Sequence, residues 1–435
     1  MHRQFLRAAL LAVLTAVFLT ASAAPAARHD NDNSRRGHST VRFATFNSSL
    51  NRSNAGELKA DLSAPNDLTR LGVQQAHNVA EIVQRINPDV LLLNEFDFDT
   101  GVLDLFADNF LAVPHNGAPG VHYPYRFIAP SNTGVPSNVD LDNNGSVGGP
   151  NDAFGFGFYP GQFGMAVYSK YPIEVNDVRT FQFFRWKDMP GALLPDNPAT
   201  PAPADWYSPA ELEVFRLSSK SHWDVPIRIG RKTVHVLTSH PTPPVFDDPP
   251  AFPAGVDFNG RRNADEIRFW ADYITPGPTS SYIYDDKNRS GGLKPGSLFV
   301  IAGDQNSDPL DGDSIPGAIQ QLLEHPLVNT ELTPSSPGAP EASALQGRAN
   351  LTHRSDPKFD TADFNDAAPG NLRADYVLPR KNMRMTDAQV FWPLRADPLF
   401  RLSGQFGFFP SSIGNGFPAS DHRAVWIDVR LPGGD

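Results

Sequence analysis

An apolar run that ends abruptly in polar residues constrains the fold of this chain more than any other stretch. Residues 298–302 are branched, aromatic or small, which is typical of a short buried β-strand. The motif Gly303-Asp304-Gln305-Asn306 follows at once. Residues two apart on an extended backbone point to the same side, so Asp304 and Asn306 would face one ligand. Taken alone, the pattern also fits an Asp- and Asn-rich turn after a strand.

The same arrangement recurs along the chain, where predicted strands end in residues that can bind a metal, carry a proton or hydrogen-bond a phosphate. A single strand-end Asn or Asp usually caps a turn, and a His before Pro is usually structural, so each residue alone is weak evidence of a site. Together they predict a polar constellation, which in chain order consists of Asn47, Glu95, His240, Asp304 with Asn306, Asp375, and Asp421 with His422.

Composition limits the class of protein. The chain has 435 residues, of which 40% are hydrophobic and 11% aromatic, enough for a sizeable core. The 41 Pro and 34 Gly predict long irregular connections rather than disorder, because the aromatic content requires a packed interior. The net charge of -11 leaves no broad positive field for non-specific nucleic-acid binding. A polynucleotide substrate is disfavoured but stays open, since a divalent cation would screen phosphate locally.

The N-terminus, residues 1–26, has the organisation of a secretory signal peptide. Arg3 and Arg7 precede an apolar run, and small residues follow, with cleavage expected after Ala23 or Ala26. A membrane anchor is the alternative, but the apolar run is too short to span a bilayer comfortably. We therefore expect an exported protein, periplasmic or secreted. Because it has no cysteine, packing or bound metal would have to stabilise it in an oxidising compartment.

The remainder of the chain predicts a polar linker, 27–39, and one domain, 40–432. Apolar residues at helical spacing predict helices over 72–87 and 260–274. Asp313 or Ser314 as a cap, with Pro316 in the first turn, predicts a helix over 314–325, and a short helix is expected near 209–217. Strands are predicted at 40–46, 89–93, 163–173, 225–229, 233–239, 298–302, 375–378 and 424–429. Long insertions are expected at about 115–160, 182–222 and 329–370.

The ordered motifs resemble the endonuclease/exonuclease/phosphatase superfamily, which has the fold of pancreatic deoxyribonuclease. They are Thr45-Phe46-Asn47, Leu92-Leu93-Asn94-Glu95, residues 164–173, Thr238-Ser239-His240, Gly303-Asp304-Gln305-Asn306, residues 373–378 and Ser420-Asp421-His422. The resemblance covers about residues 40–432 and implies an α+β fold, a four-layer sandwich of two mainly antiparallel β-sheets packed face to face with flanking helices. Asn94 departs from the family, whose members often have Gln there.

The resemblance also implies roles for these residues. Glu95 would hold Mg²⁺ or Mn²⁺, helped by Asn47 and Asp421, as suits a hard cation that prefers oxygen ligands. His422 would be the general acid or base, oriented by Asp375 through one ring nitrogen.

Three further residues would complete this chemistry. By the same resemblance, Asp304 would position or deprotonate the attacking water. His240 and Asn306 would donate hydrogen bonds to phosphate oxygens as negative charge develops.

A second constellation matches the beginning of a calcium-binding loop. Asp140, Asp142 and Asn144 offer oxygen ligands at alternate positions, and a glycine follows for the sharp turn. Asn stands at the twelfth position instead of Glu, and the adjacent Asp152 would have to replace it. The alternative is a polar loop rich in turn-forming residues. A structural Ca²⁺ here would fix a long insertion in a chain without disulfides.

Two more features allow either a functional or a structural interpretation. Arg261 and Arg262 could contact phosphate or belong to a solvated helix face. Aromatic residues at 181–186 and 406–409 would suit a membrane surface or pack in the core.

These observations favour an exported, divalent-metal-dependent phosphoester hydrolase, foremost a phosphodiesterase of the nuclease type. A phosphomonoesterase or a lipid-headgroup phosphodiesterase would use the same chemistry. A non-catalytic calcium-binding surface protein on the same fold is the alternative of another class. We expect a phosphoester substrate, which leaves nucleic acid, a small phosphodiester and a phospholipid headgroup open, and we predict no protein partner.

Overall fold

The computed structural model describes residues 40–247, 252–405 and 416–433. The expected signal peptide, the polar linker and the aromatic residues at 406–409 lie outside the described residues. Within the described ranges, no helix combines the length and the apolar character needed to cross a membrane.

Thirteen strands lie in the described part of the chain. In chain order they are β1 Thr40–Leu50, β2 Val90–Phe96, β3 Tyr125–Phe127, β4 Met165–Ser169, β5 Arg179–Thr180, β6 His222–Ile229, β7 Lys232–Ser239, β8 Leu298–Asp304, β9 Ala362–Asp363, β10 Asn371–Leu372, β11 Asp375–Pro379, β12 Arg384–Val390 and β13 Val425–Arg430.

The helices are fewer and several are short. The α-helices are α1 Glu57–Leu62, α2 Leu71–Ile86, α3 Val102–Phe106, α4 Pro209–Val214, α5 Phe258–Ile274, α6 Gln320–Leu323, α7 Gly338–Gln346 and α8 Phe400–Ser403. A π-helical turn, Ala107–Leu111, continues α3, and 3₁₀ turns lie at Trp186–Asp188, Pro278–Ser280, Arg348–Leu351 and Pro357–Phe359.

The strands form two large mixed sheets and one small ribbon. The first sheet has the order β12-β13-β1-β2-β4-β3, and only its β1–β2 pair is parallel. The second has the order β11-β8-β7-β6-β5, and only its β7–β8 pair is parallel. β9 and β10 pair separately. Both large sheets are therefore mainly antiparallel, as expected.

The sheets pack face to face because their strands alternate in side-chain direction. In β8, Val300 and Ala302 join a core shared with β1, β2 and β13 of the other sheet. The neighbouring Phe299 and Ile301 point the other way, into a core shared with α5. The outer face of the first sheet packs against α1, α2 and α3. The result is the four-layer α+β sandwich that the resemblance implies.

The predicted helix over 314–325 is wrong in its first half. Only α6, Gln320–Leu323, is helical, and turns precede it. Gly317 has a φ of 90°, which a right-handed helix does not accommodate. The predicted cap and the proline lie before Gly317, and Ile319 and Leu322 after it are buried.

The aromatic residues at 181–186 belong mainly to the core. Phe181, Phe184 and Trp186 are buried, and the first two contact the Phe269 ring of α5 edge to face. Phe183 is exposed. This segment therefore serves packing between the second sheet and α5.

Candidate active site

The polar ends of the two sheets meet at one edge of the sandwich. Asn47 of β1 stands beside Asn94 of β2, and Asp304 of β8 stands opposite Asp375 of β11. The Asn47 Nδ2 donates to Asp304 Oδ2 across the two sheets at 3.0 Å. Each sheet's parallel pair ends at this edge, so the fold itself brings distant residues together.

The backbone departs from regular strand geometry at this edge. The register of β1 against β2 shifts after Asn47, and Glu95 has a φ of 56°. Asn306 has a φ of 50°. Gly303 has a φ of 148°, and a Cβ there would overlap the Ser239 carbonyl oxygen. The Gly-Asp-Gln-Asn motif therefore requires glycine for close approach of β7 and β8.

Asn94, the departure from the family pattern, links the sheets. Its Oδ1 accepts from Thr45 Oγ1 and from the Asp304 backbone N–H, both at 3.2 Å. Its Nδ2 donates to the Ser239 carbonyl at 3.3 Å. The Asn94 amide, on a side chain shorter than that of Gln, therefore holds the backbone of Asp304 in place.

Asp304 lies at the centre of the constellation. Besides Asn47, its Oδ2 has His240 Nε2 at 3.4 Å and His422 Nε2 at 3.6 Å. Burial, with repulsion from Asp375, raises the pKa of Asp304 against the opposing effect of His422 and two hydrogen bonds. A carboxylate so placed can act as a proton acceptor near neutral pH.

His422 is held between two carboxylates. Its Nδ1 lies 2.9 Å from Asp375 Oδ2, so this nitrogen carries the proton and donates, and Nε2 faces Asp304. Burial opposes the charged form, but Asp375, Asp304 and Asp421 outweigh burial and raise the pKa of His422 well above its ordinary value. The surrounding carboxylates therefore favour the protonated imidazole.

Thr361 supports the pair formed by Asp375 and His422, and no sequence motif indicated this residue. Its Oγ1 donates to Asp375 Oδ2 at 2.8 Å and accepts from the backbone N–H of Ala374 and Asp375. The hydroxyl fixes the carboxylate plane that in turn orients His422.

Glu95 and Asp421 supply anionic oxygens at the rim of the same site. Glu95 is partly exposed and accepts from Asn47 Nδ2 at 3.2 Å, while Asp421 Oδ1 accepts from Ser49 Oγ at 3.3 Å. Burial, then repulsion from Asp421, raises the pKa of Glu95 to about 7. The negatively charged oxygens of Glu95 and Asp421 suit a hard divalent cation. A bound cation would relieve the repulsion between the two carboxylates.

His240 and Asn306 lie beside Asp304, just after the ends of β7 and β8. Burial, followed by the charges of Lys220 and His422, lowers the pKa of His240 well below its ordinary value. Its imidazole is therefore neutral. The Asn306 backbone N–H donates to Asp304 Oδ1 at 2.8 Å, and its Nδ2 donates to the Pro241 carbonyl at 3.1 Å.

The structure does not place Arg261 and Arg262 as the sequence led us to expect. Arg262 is buried, and its guanidinium donates to the carbonyls of Leu217, Phe154 and Arg216, so the expectation of a phosphate contact or a solvated helix face is wrong for it. Arg261 is partly exposed, and its charge acts on Asp257 at the beginning of α5.

The calcium-loop residues form a separate group. Carboxylate oxygens of Asp140, Asp142 and Asp152 lie within 4.8 Å of one another. The Asn144 side chain instead donates to Asp142 Oδ2 at 3.0 Å. Backbone N–H groups of the loop also donate to these carboxylates.

The relationship of this chain to known proteins follows from its match to a protein-family model. The model of the Endonuclease/Exonuclease/phosphatase family matches residues 44–422. The chain belongs to this family. As a member, it is a metal-dependent phosphoester hydrolase.

Several solved structures have a similar fold, and their matches cover most of this chain. They include an endonuclease/exonuclease/phosphatase from Beutenbergia cavernae (16% identity, 91% of this chain and 72% of that chain, TM-score 0.44). Sphingomyelinase C from Streptomyces griseocarneus (16%, 90% and 99%, 0.41) and truncated TDP2 from Caenorhabditis elegans (15%, 90% and 98%, 0.37) are two others. A search of curated proteins found no match.

Proposed function

We propose that this protein is an exported phosphodiesterase of the nuclease type that depends on Mg²⁺ or Mn²⁺. The observation that carries the proposal is the charge of the site. Four carboxylates, those of Glu95, Asp304, Asp375 and Asp421, surround one imidazolium, His422. These carboxylates repel one another, and burial together with this repulsion raises the pKa of Glu95 and of Asp304. A monoanionic diester therefore meets less repulsion than a dianionic monoester.

The metal would be held by Glu95 and Asp421 with the Asn47 carboxamide. Carboxylate and amide oxygens suit Mg²⁺ and Mn²⁺. When bound, the cation would supply Lewis-acid stabilisation of phosphate charge.

Asp304 and His422 act on the same side of the phosphorus in the proposed mechanism. Their facing atoms, Oδ2 and Nε2, lie only 3.6 Å apart, too close to serve both ends of an in-line displacement. Asp304 accepts the proton of the attacking water while the bond between phosphorus and the leaving-group oxygen breaks, and that oxygen takes its proton from solvent water. His422, kept protonated by Asp375, donates from Nε2 to a non-bridging phosphate oxygen as charge develops there.

His240 and Asn306 bind the same phosphate from the neighbouring loop. His240 is neutral and donates from the Nε2 that now faces Asp304 at 3.4 Å. Asn306 contributes its Nδ2. Both groups are held by the ends of β7 and β8, so they need little reorganisation during the reaction.

A substrate panel tests the proposal. The purified protein, with Mg²⁺ or Mn²⁺, is assayed on DNA, RNA, a bis-aryl phosphate, an aryl phosphate and sphingomyelin, with His422→Ala as the control for contaminating activity. We expect metal-dependent cleavage of nucleic acid and of the bis-aryl phosphate. Faster turnover of the aryl phosphate would favour a monoesterase, and cleavage of sphingomyelin alone would favour a lipid-headgroup phosphodiesterase.

Export is proposed from the pattern of residues 1–26. The N-terminus of the mature protein, sequenced from the exported fraction of expressing bacterial cells, should begin after Ala23 or Ala26. An intact N-terminus in the cytoplasmic fraction would contradict export.

We also propose a structural Ca²⁺ bound by Asp140, Asp142 and Asp152, with Asn144 as a further oxygen ligand. The closeness of the three carboxylates supports it. Asp152 stands next to the twelfth position, where the loop pattern requires an acidic residue and the chain has Asn151.

A further inference from the structure

Lys220 is a buried lysine without an ion-pair partner in the described part of the chain. Only 7% of the residue is exposed, and it lies two residues before the first residue of β6. Within the described ranges, its Nζ has one hydrogen-bond acceptor, the Pro241 carbonyl at 3.4 Å, and no carboxylate oxygen within 4.0 Å. A buried ammonium that is neither paired nor fully hydrogen-bonded is costly, so an anion that binds there would gain a ready-made partner.

The contacts of Pro241 place this ammonium next to the catalytic groups. The Pro241 carbonyl also accepts from Asn306 Nδ2 at 3.1 Å, so both donors converge on one oxygen. Pro241 follows His240, and the charge of Lys220 contributes to lowering the pKa of His240. Burial lowers the pKa of Lys220, and the charges of Glu266 and then of Glu95 and Asp304 oppose this effect.

We propose that Lys220 is a further phosphate-binding residue of this active site. Its ammonium, together with Asn306 and His240, binds non-bridging oxygens of the phosphoester anion. The inference rests on the proposed function and identifies the cation that the function still lacks. The positive charge of Lys220 would offset part of the carboxylate charge that an incoming phosphate anion meets.

The competing interpretation is purely structural: Lys220 would tie the segment before β6 to the Pro241 carbonyl. That role needs one hydrogen-bond donor and no charge. Substitutions that separate the donor from the charge therefore distinguish the two interpretations.

The test compares Lys220→Gln, which keeps a donor without the charge, with Lys220→Arg, which keeps the charge. Exposed Lys294→Gln is the matched control. Each variant is assayed for kcat and KM on the bis-aryl phosphate and for the inhibition constant of inorganic phosphate. Thermal unfolding checks the fold. We expect Lys220→Gln to lose roughly 10²- to 10³-fold in kcat/KM, the usual effect of removing one transition-state donor.

The inhibition constant of phosphate should rise in parallel for Lys220→Gln. Lys220→Arg should recover part of the lost kcat/KM and part of the lost phosphate affinity. Lys294→Gln should match the unaltered protein. If Lys220→Gln keeps the fold, the activity and the phosphate affinity, the inference is wrong and the lysine is structural. If Lys220→Gln does not fold, Lys220→Arg decides: a folded Arg variant that lacks phosphate affinity overturns the inference, and one that retains the affinity supports it.

Phosphate binding followed by thermal shift does not require turnover. If the substrate panel shows no diesterase activity but phosphate still stabilises the unaltered protein and not Lys220→Gln, the proposed function fails and the phosphate site stands. If diesterase activity is present and Lys220→Gln leaves it unchanged, only the inference fails.

Discussion

Replacing Glu95 by Gln tests whether the rim of the site is a cluster of like charges that a metal relieves. Burial and the charge of Asp421 raise the pKa of Glu95 from 4.5 to about 7 in the folded protein. A carboxyl group with a raised folded-state pKa binds more protons folded than unfolded. Without metal, its ionisation therefore destabilises the fold progressively as pH rises from about 4.5 to about 7.

The size of this effect follows from the shift. At about 1.4 kcal/mol per pH unit, the rise to about 7 corresponds to an upper limit of about 3 kcal/mol. Because Glu95 is partly exposed, solvent screening reduces this, and we expect about 1–3 kcal/mol. In EDTA at pH 8, Glu95→Gln should be more stable than the unaltered protein by that amount. At pH 4.5 the gain should largely vanish.

Urea unfolding followed by tryptophan fluorescence measures this difference, and exposed Glu331→Gln serves as the matched control. Addition of Mg²⁺ should stabilise the unaltered protein and leave Glu95→Gln almost unchanged. Turnover should be lost in the variant, since Glu95 is the proposed central anionic ligand. A variant that is less stable than the unaltered protein at pH 8 in EDTA, or a gain independent of pH, would refute the reasoning.

Two further predictions concern the other polar groups. His422→Ala should lose roughly 10²- to 10⁴-fold in kcat, and adding Asp375→Asn should cost almost nothing more, because residues acting as one unit are non-additive; losses that multiply would disprove the pairing. For the calcium loop, Ca²⁺ at about 100 times its Kd should add about 3 kcal/mol to the free energy of unfolding, and Asp140→Ala with Asp142→Ala should remove this gain. Full calcium stabilisation in that double variant would place the ion elsewhere.

Much of the fold was predictable because strands and their ends leave a local signal. The apolar run before Gly303 predicted β8, and alternation in β6 and β7 predicted their hairpin. α2 ends where Asn87 adopts a left-handed conformation before a proline, as its spacing indicated. The predicted helix over 314–325 failed in its first half, because the backbone of Gly317 has a positive φ that a right-handed helix does not accommodate.

The site was less predictable, because several of its residues act through contacts between distant segments. Thr361 lies in a long loop, and nothing in its neighbours indicates that its hydroxyl holds Asp375. Lys220 likewise precedes a strand instead of following one, so the search for polar strand ends passes over it. The role of Arg262 was misjudged since the carbonyls that occupy its guanidinium come from other loops.

The two sheets hold the edge of the proposed active site in a conformation that several of its own residues disfavour. Ser49, Glu95 and Asn306 all have positive φ, a conformation that costs about 1–3 kcal/mol for such residues. Buried carboxylates of like charge add to this cost. The apolar core shared by β8 and the opposite sheet, with Asn94 bridging the two strands that carry Glu95 and Asp304, keeps these groups in place. We expect a bound divalent metal ion to relieve the repulsion among these carboxylates, which the sheets hold close together.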